Sequence, residues 1–103
     1  MRTTLLVSRD LDWSLALATD WVAAGDYVTV VLLDSAVAAT RRGHAAAARV
    51  RAAVDAGATL VAEEQALRSR AVPSAEGADG IKVVSLDEVA DLLVDGTDKA
   101  VWL

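Results

Sequence analysis

Glu63-Glu64-Gln65-Ala66-Leu67-Arg68-Ser69-Arg70, followed by Ile81-Lys82-Val83-Val84, the run Asp87 to Asp95 and Lys99-Ala100-Val101-Trp102-Leu103, reads as helix, strand, helix, strand. The four-residue run at Ile81 is too short for a helix and rich in branched side chains, so it is predicted to be a buried strand. Ser85-Leu86-Asp87-Glu88 has the spacing of a capping box, in which the Ser85 hydroxyl and the Glu88 carboxylate each accept from the other residue's main-chain N–H. Behind that cap, Leu86, Val89, Leu92 and Leu93 are expected to face a sheet. The closing run places Val101, Trp102 and Leu103 together, and an apolar segment of this kind is predicted to join the sheet as its last strand, Ala100 to Leu103.

The same alternation extends back to the N-terminus. Thr4 to Ser8 is a strand, and Asp10 stands at the N-cap of a helix that runs to Ala24 and stops at Gly25. Tyr27 to Leu33 is a continuous apolar run broken only by Thr29, as expected of a parallel strand covered on both faces. Ser35 to Asp55 reads as helical but interrupted at Gly43, with Ala46, Ala47, Val50, Ala53 and Val54 inward and Gly57 as its stop. Thr59 to Ala62 is the third strand, Glu63 to Ala71 a short helix, and Pro73 to Gly80 a polar loop. Alternating strands and helices of this length predict an α/β chain of one domain with a mainly parallel sheet of five strands.

Composition agrees. Of 103 residues 54% are hydrophobic, with no Phe, one Tyr and three Trp, so the core is built from Ala, Val and Leu. A formal charge of -5, from 15 acids against 10 Lys and Arg, opposes a broad nucleic-acid surface, which needs a cation for each phosphate contacted. The first residues lack the long apolar run of a secretory signal, and no segment reaches the length of a membrane helix, so a soluble cytoplasmic protein is expected. There is no cysteine, which removes disulfides, thiolate metal sites and thiol nucleophiles at once.

In a parallel sheet, ligands collect at the carboxyl ends of the strands. The residues expected there as a pocket are Arg9, Asp34, Ser35, Glu63, Glu64 and Ser85. Asp34 and Ser85 also suit turns and caps. Glu63 and Glu64, about 100° apart on a helix, suit a helix dipole better than a shared ion. No glycine-rich phosphate loop follows the first strand, and no cofactor is expected. His44, the sole histidine, has no thiol to activate and reads as solvated or capping. Arg41, Arg42, Arg49 and Arg51 read as solvated charge first and as an anion site or a patch for an acidic partner second.

The first helix carries Leu11, Leu15, Ala18 and Val22 on one face. Trp13, Leu17 and Trp21 follow at i, i+4 and i+8 on another. The second stripe is expected to be a subunit interface, because Trp is enriched where proteins associate, with packing inside the same chain as the alternative.

Thr59 to Val72, Ile81-Lys-Val-Val-Ser, the acidic helix after it and the ending Lys99 to Leu103 together resemble the DsrE/DsrF/DsrH family of sulfur-relay proteins, most closely its DsrH or TusB branch. Arg70 and Trp102 match the Arg after the short acidic helix and the terminal Trp of that branch, Asp26 to Ala36 is similar to its second strand and turn, and Ala71 stands where the family prefers Gly. The resemblance implies a three-layer α/β/α domain of flavodoxin or Rossmann type that forms homo- or hetero-oligomers in the cytoplasm. It also implies a persulfide-bearing cysteine after the third strand, where this chain has Ala62, Glu63 and Glu64. A persulfide needs a thiolate. The expected role is therefore a non-catalytic assembly subunit, alone or with cysteine-bearing subunits of the family. A small-ligand module using the strand-end pocket is the second reading, and carboxylate-only catalysis a weaker third.

Overall fold

The computed structural model describes residues 1–41, 43–72 and 80–103. Arg42 of the arginine group and residues 73–79 of the polar loop lie outside the described residues. In chain order the elements are β1 (Arg2–Val7), α1 (Leu11–Ala23), β2 (Tyr27–Leu32), a 3-10 helix (Asp34–Thr40), α2 (Ala47–Ala56), β3 (Thr59–Glu63), α3 (Glu64–Ser69), β4 (Ile81–Val84), α4 (Leu86–Asp95) and β5 (Lys99–Trp102). All four strand pairings are parallel, and the order across the sheet is β4-β3-β2-β1-β5.

That order dictates the layers. From β1 to β4 the chain steps always in one direction, so right-handed crossovers put α1, α2 and α3 on one side. The last step runs back past the whole sheet to set β5 beside β1, and the same handedness sends α4 to the other side. Strand side chains alternate accordingly. Leu5, Val7, Val30, Leu32, Leu60 and Ala62 pack with Leu15, Ala18, Val50, Ala53 and Leu67 in the larger core. Leu6, Val31, Val61 and Val84 pack with Val89, Leu92 and Leu93 beneath α4. Because both faces are covered, the strands read as unbroken apolar runs rather than alternating ones.

Several local expectations are corrected. Asp10 does occupy the N-cap position of α1, but at φ 54°, ψ 46° it is left-handed and makes no side-chain cap bond. The Ser14 hydroxyl instead donates to the Asp10 carbonyl at 2.9 Å, which explains how Ser14 is fully buried. The stretch after Asp34 is a 3-10 helix, and α2 starts only at Ala47. Glu63 ends β3 and caps α3 rather than opening it. Leu86 is exposed: it shares the helical face of Leu93, but as the first residue of α4, past the end of β4, it is not among the residues packed beneath that helix. Gly57 stops α2 as expected, at φ 114°, with its N–H on the Val54 carbonyl.

Candidate functional site

Neighbouring strands β3 and β4 send their helices to opposite faces, so the crevice between Glu63 and Ser85 is the topological switch point of the sheet. Both residues there are occupied in capping. The Ala66 N–H donates to Glu63 Oε2 at 2.7 Å, and the Glu63 side chain is buried, with 4% of the residue exposed. The Glu88 N–H donates to Ser85 Oγ and the Ser85 N–H to Glu88 Oε1, both at 3.1 Å, completing the capping box read from the sequence. Glu64 is one residue into α3 and pairs with Arg68 at 3.8 Å.

The other three expected pocket residues lie over β1 and β2. Ser35 Oγ donates to the Ser8 carbonyl at 2.9 Å, stitching the ends of those strands together. Asp34, itself left-handed at φ 47°, accepts from the Arg70 guanidinium, so the start of the 3-10 helix is tied to the end of α3. Arg41 reinforces this tie by donating from Nη2 to the Ala71 carbonyl at 3.0 Å. Arg9 is exposed in the turn after β1 and makes no hydrogen bond or ion pair among the described residues. The six residues thus share one end of the sheet but do not converge on one cavity: five are engaged in caps and ties.

A cleft at that end has other walls. It measures about 640 Å³ and lies between the start of α1 and the turn before α2, with Asp10, Asp12 and Trp13 on one side and His44, Ala45 and Ala46 on the other. The Ala46 N–H donates to His44 Nδ1 at 3.0 Å, so the histidine holds the turn, in keeping with its capping reading. Arg49 reaches across to Asp12 at 3.4 Å. Sequence periodicity could not find this cleft, because it places Trp13 by its helical face, whereas the cleft depends on how closely α2 approaches α1. Among the described residues no group of three His, Asp or Glu side chains is arranged to hold a metal ion.

Trp13, Leu17 and Trp21 do not form one exposed stripe. Leu17 and Trp21 are half-buried against the larger core, and the Lys99 ammonium sits 5.3 Å from the centre of the Trp21 ring. Trp13 stands apart, 59% exposed at the cleft. The other large exposed apolar groups include Leu86 and Val94 on α4, and Trp102 on β5. Trp102 is in register with Leu6, which places it on the α4 side of the sheet. No helix among the described residues is long and apolar enough to cross a membrane.

No protein-family model and no curated protein matches the chain. Solved structures do. The ychN protein from E. coli superposes with a TM-score of 0.86 at 18% identity over 100% of both chains. MTH1491, a protein of unknown function from Methanobacterium thermoautotrophicum, gives 0.80 at 17% identity over 99% of this chain and 98% of its own. BT1422, a conserved protein of unknown function from Bacteroides thetaiotaomicron, gives 0.82 at 16% identity over 99% and 94%. These likenesses establish a ychN-like fold along the whole chain.

Proposed function

We propose that this chain is a non-catalytic subunit of DsrE/DsrH type, which contributes surface to a cytoplasmic sulfur-relay assembly instead of carrying sulfur itself. The observation that carries the reading is the chemistry at the end of β3. Where the resemblance calls for a persulfide-bearing cysteine, the chain has Ala62 and then Glu63, whose carboxylate is spent on the α3 cap, and no thiol occurs anywhere in the sequence. A carboxylate can neither accept nor hand on a sulfane sulfur atom, since both steps need a thiolate. Support for an assembly role comes from the thinly covered α4 side of the sheet, where Leu86, Ala90 and Val94 recur at i, i+4 and i+8 along α4 and are all exposed, with Trp102 on the same side. The partner surface of this reading is the α4 side, not the Trp13, Leu17 and Trp21 stripe, because two of those three residues pack against their own core.

The test is copurification of the chain from its own cells, with native mass measurement and persulfide labelling. The reading expects a complex of defined stoichiometry in which a partner's cysteine takes the label. A chain that remains monomeric at high concentration and brings down no thiol-bearing subunit overturns it.

A further inference from the structure

We propose that the occupant of the α4 side is an amphipathic helix of a different protein, seated over β5 beside α4, with an apolar stripe edged by Lys or Arg. This inference rests on the assembly reading above and names the partner's chemistry. The helix layer on this side is incomplete. Five strands about 4.8 Å apart present roughly 19 Å of sheet, and one packed helix covers about 10 Å of it. The core beneath α4 draws on Leu6, Val31, Val61 and Val84, from β1 to β4, and on no residue of β5. Ala100 and Trp102, in register with Thr4 and Leu6, face the same side and are exposed. With Val89, Leu92 and Leu93 on the sheet and α4 running from β4 back to β5, its right-handed turn puts Leu86 and Ala90 on the flank toward β5. Val94, 79% exposed, lies on the crest with Asp87 and Asp91.

Charge selects the partner. α4 carries Asp87, Glu88, Asp91 and Asp95 and no Lys or Arg. Glu88 is held in the capping box, and Asp87 lies in the first turn, where the helix dipole favours an acid. Asp91 and Asp95 stand toward the other end, where the dipole disfavours acids, and among the described residues neither is in an ion pair. The cations around this face do not offset them. Arg2 reaches the Asp95 carbonyl but is neutralised by Asp98. Lys99 lies over Trp21, on the other side of the sheet, and Arg9 is past the end of β1. Lys82 stands on β4, the edge of the sheet opposite β5. A second copy fits this face poorly. Two α4 helices packed together would set acid against acid, and Arg49, Arg51, Arg68 and Arg70 each pair with an acid of their own chain. Nucleic acid and anionic lipid meet the same repulsion.

The experiment is photo-crosslinking in the chain's own cells, from the full chain with p-benzoylphenylalanine in place of Val94, the attached peptide being read by mass spectrometry. The expected adduct is a peptide of another protein with apolar residues at helical spacing and an excess of Lys and Arg. Asp91→Asn with Asp95→Asn should cut its yield at least about threefold. Asp20→Asn with Asp55→Asn, the same change of charge on the other side of the sheet, should leave it unchanged. The inference is overturned by an adduct to this chain's own sequence, to an acidic or neutral segment, or to nucleic acid or lipid, by equal yields from the two double variants, or by no adduct. The two readings fail separately. A persulfide-labelled complex with no adduct at position 94 leaves the assembly reading standing alone, and an adduct to a basic helix of a protein without a reactive cysteine leaves this inference standing without the sulfur relay.

Discussion

Arg2 and Asp98 clasp the first rung of the β1–β5 ladder. The Arg2 main-chain N–H donates to Asp98 Oδ2 at 2.8 Å and its Nη2 to Oδ1 at 3.0 Å, while the Asp98 N–H returns a bond to the Arg2 carbonyl at 2.8 Å. A third Arg2 nitrogen, Nη1, reaches the Asp95 carbonyl at the end of α4 at 3.1 Å. One arginine thus sets the register of an edge strand whose own ladder spans only four residue pairs, Thr3 with Lys99 through Leu6 with Trp102.

That clasp predicts an acid-sensitive component of stability. The side-chain hydrogen bond from Arg2, then the bond from its main chain, hold the Asp98 carboxyl down to about 2, from an ordinary value of 3.8. A depressed folded value stabilises the fold above the unfolded value and ceases to do so as pH falls through the folded one. The contribution should therefore be present at pH 5, decline between about pH 4 and 2, and shrink in high salt because the pair is exposed. In acid denaturation followed by circular dichroism, Asp98→Asn should be less stable than the parent at pH 7 and converge with it below that window. Parallel curves would rule out the linkage.

A second prediction concerns backbone strain. Ala71 holds φ 53° with no polar side chain to compensate, just beyond the Arg70 tie to Asp34 and with its carbonyl held by Arg41. A left-handed alanine costs roughly 1–2 kcal/mol, and the extra freedom of glycine in the unfolded chain returns about 0.4–1 kcal/mol of that. Ala71→Gly should raise stability by up to about 1 kcal/mol, seen as a higher denaturation midpoint at unchanged slope. The site is also where the family resemblance asks for glycine.

Two residues that look alike as helix starts should behave oppositely. Ser85 caps α4 with a reciprocal bond to Glu88, whereas Asp10 gives α1 no side-chain bond and is left-handed. Ser85→Ala should cost about 1 kcal/mol. Asp10→Gly should be neutral or stabilising, since it removes strain and no cap. Urea denaturation of both variants separates the cases, and equal losses would contradict the cap assignment.

The contrast shows what the sequence could disclose. Elements were legible because each carries a local signal: the apolar run at Tyr27–Leu32, Gly57 as a stop, and Ser85 with Glu88 as a start. At Asp10 residue type reveals the N-cap position but not that the backbone is left-handed there and makes no side-chain cap bond, with the Ser14 hydroxyl on the Asp10 carbonyl instead. The sequence puts Glu63 at the right end of the sheet but outside the strand that holds it, since the β3–α3 junction has no intervening turn residue to mark it. The cleft was not legible at all: Asp10 to Trp13 and His44 to Ala46 lie over thirty positions apart, and only the packing of α1 against α2 joins them.

Assembly through the α4 side predicts a division of labour among the exposed and half-buried large apolar side chains. Trp102 and Leu86 are 72% and 55% exposed, so replacing both with Ser removes little from the folded monomer. In an interface each would bury most of a large apolar side chain, about 1.5–3 kcal/mol apiece. The double variant Leu86→Ser, Trp102→Ser should therefore sediment as a smaller species than the parent while keeping the parent's secondary structure by circular dichroism and the midpoint the parent shows when diluted below its association range. Trp21→Ser should do the reverse, because its indole packs on the chain's own core beneath Lys99: the midpoint falls and the assembled mass of the folded fraction holds. Were Trp21→Ser to dissociate the assembly while Leu86→Ser, Trp102→Ser left it intact, the contact would lie on the α1 side of the sheet instead.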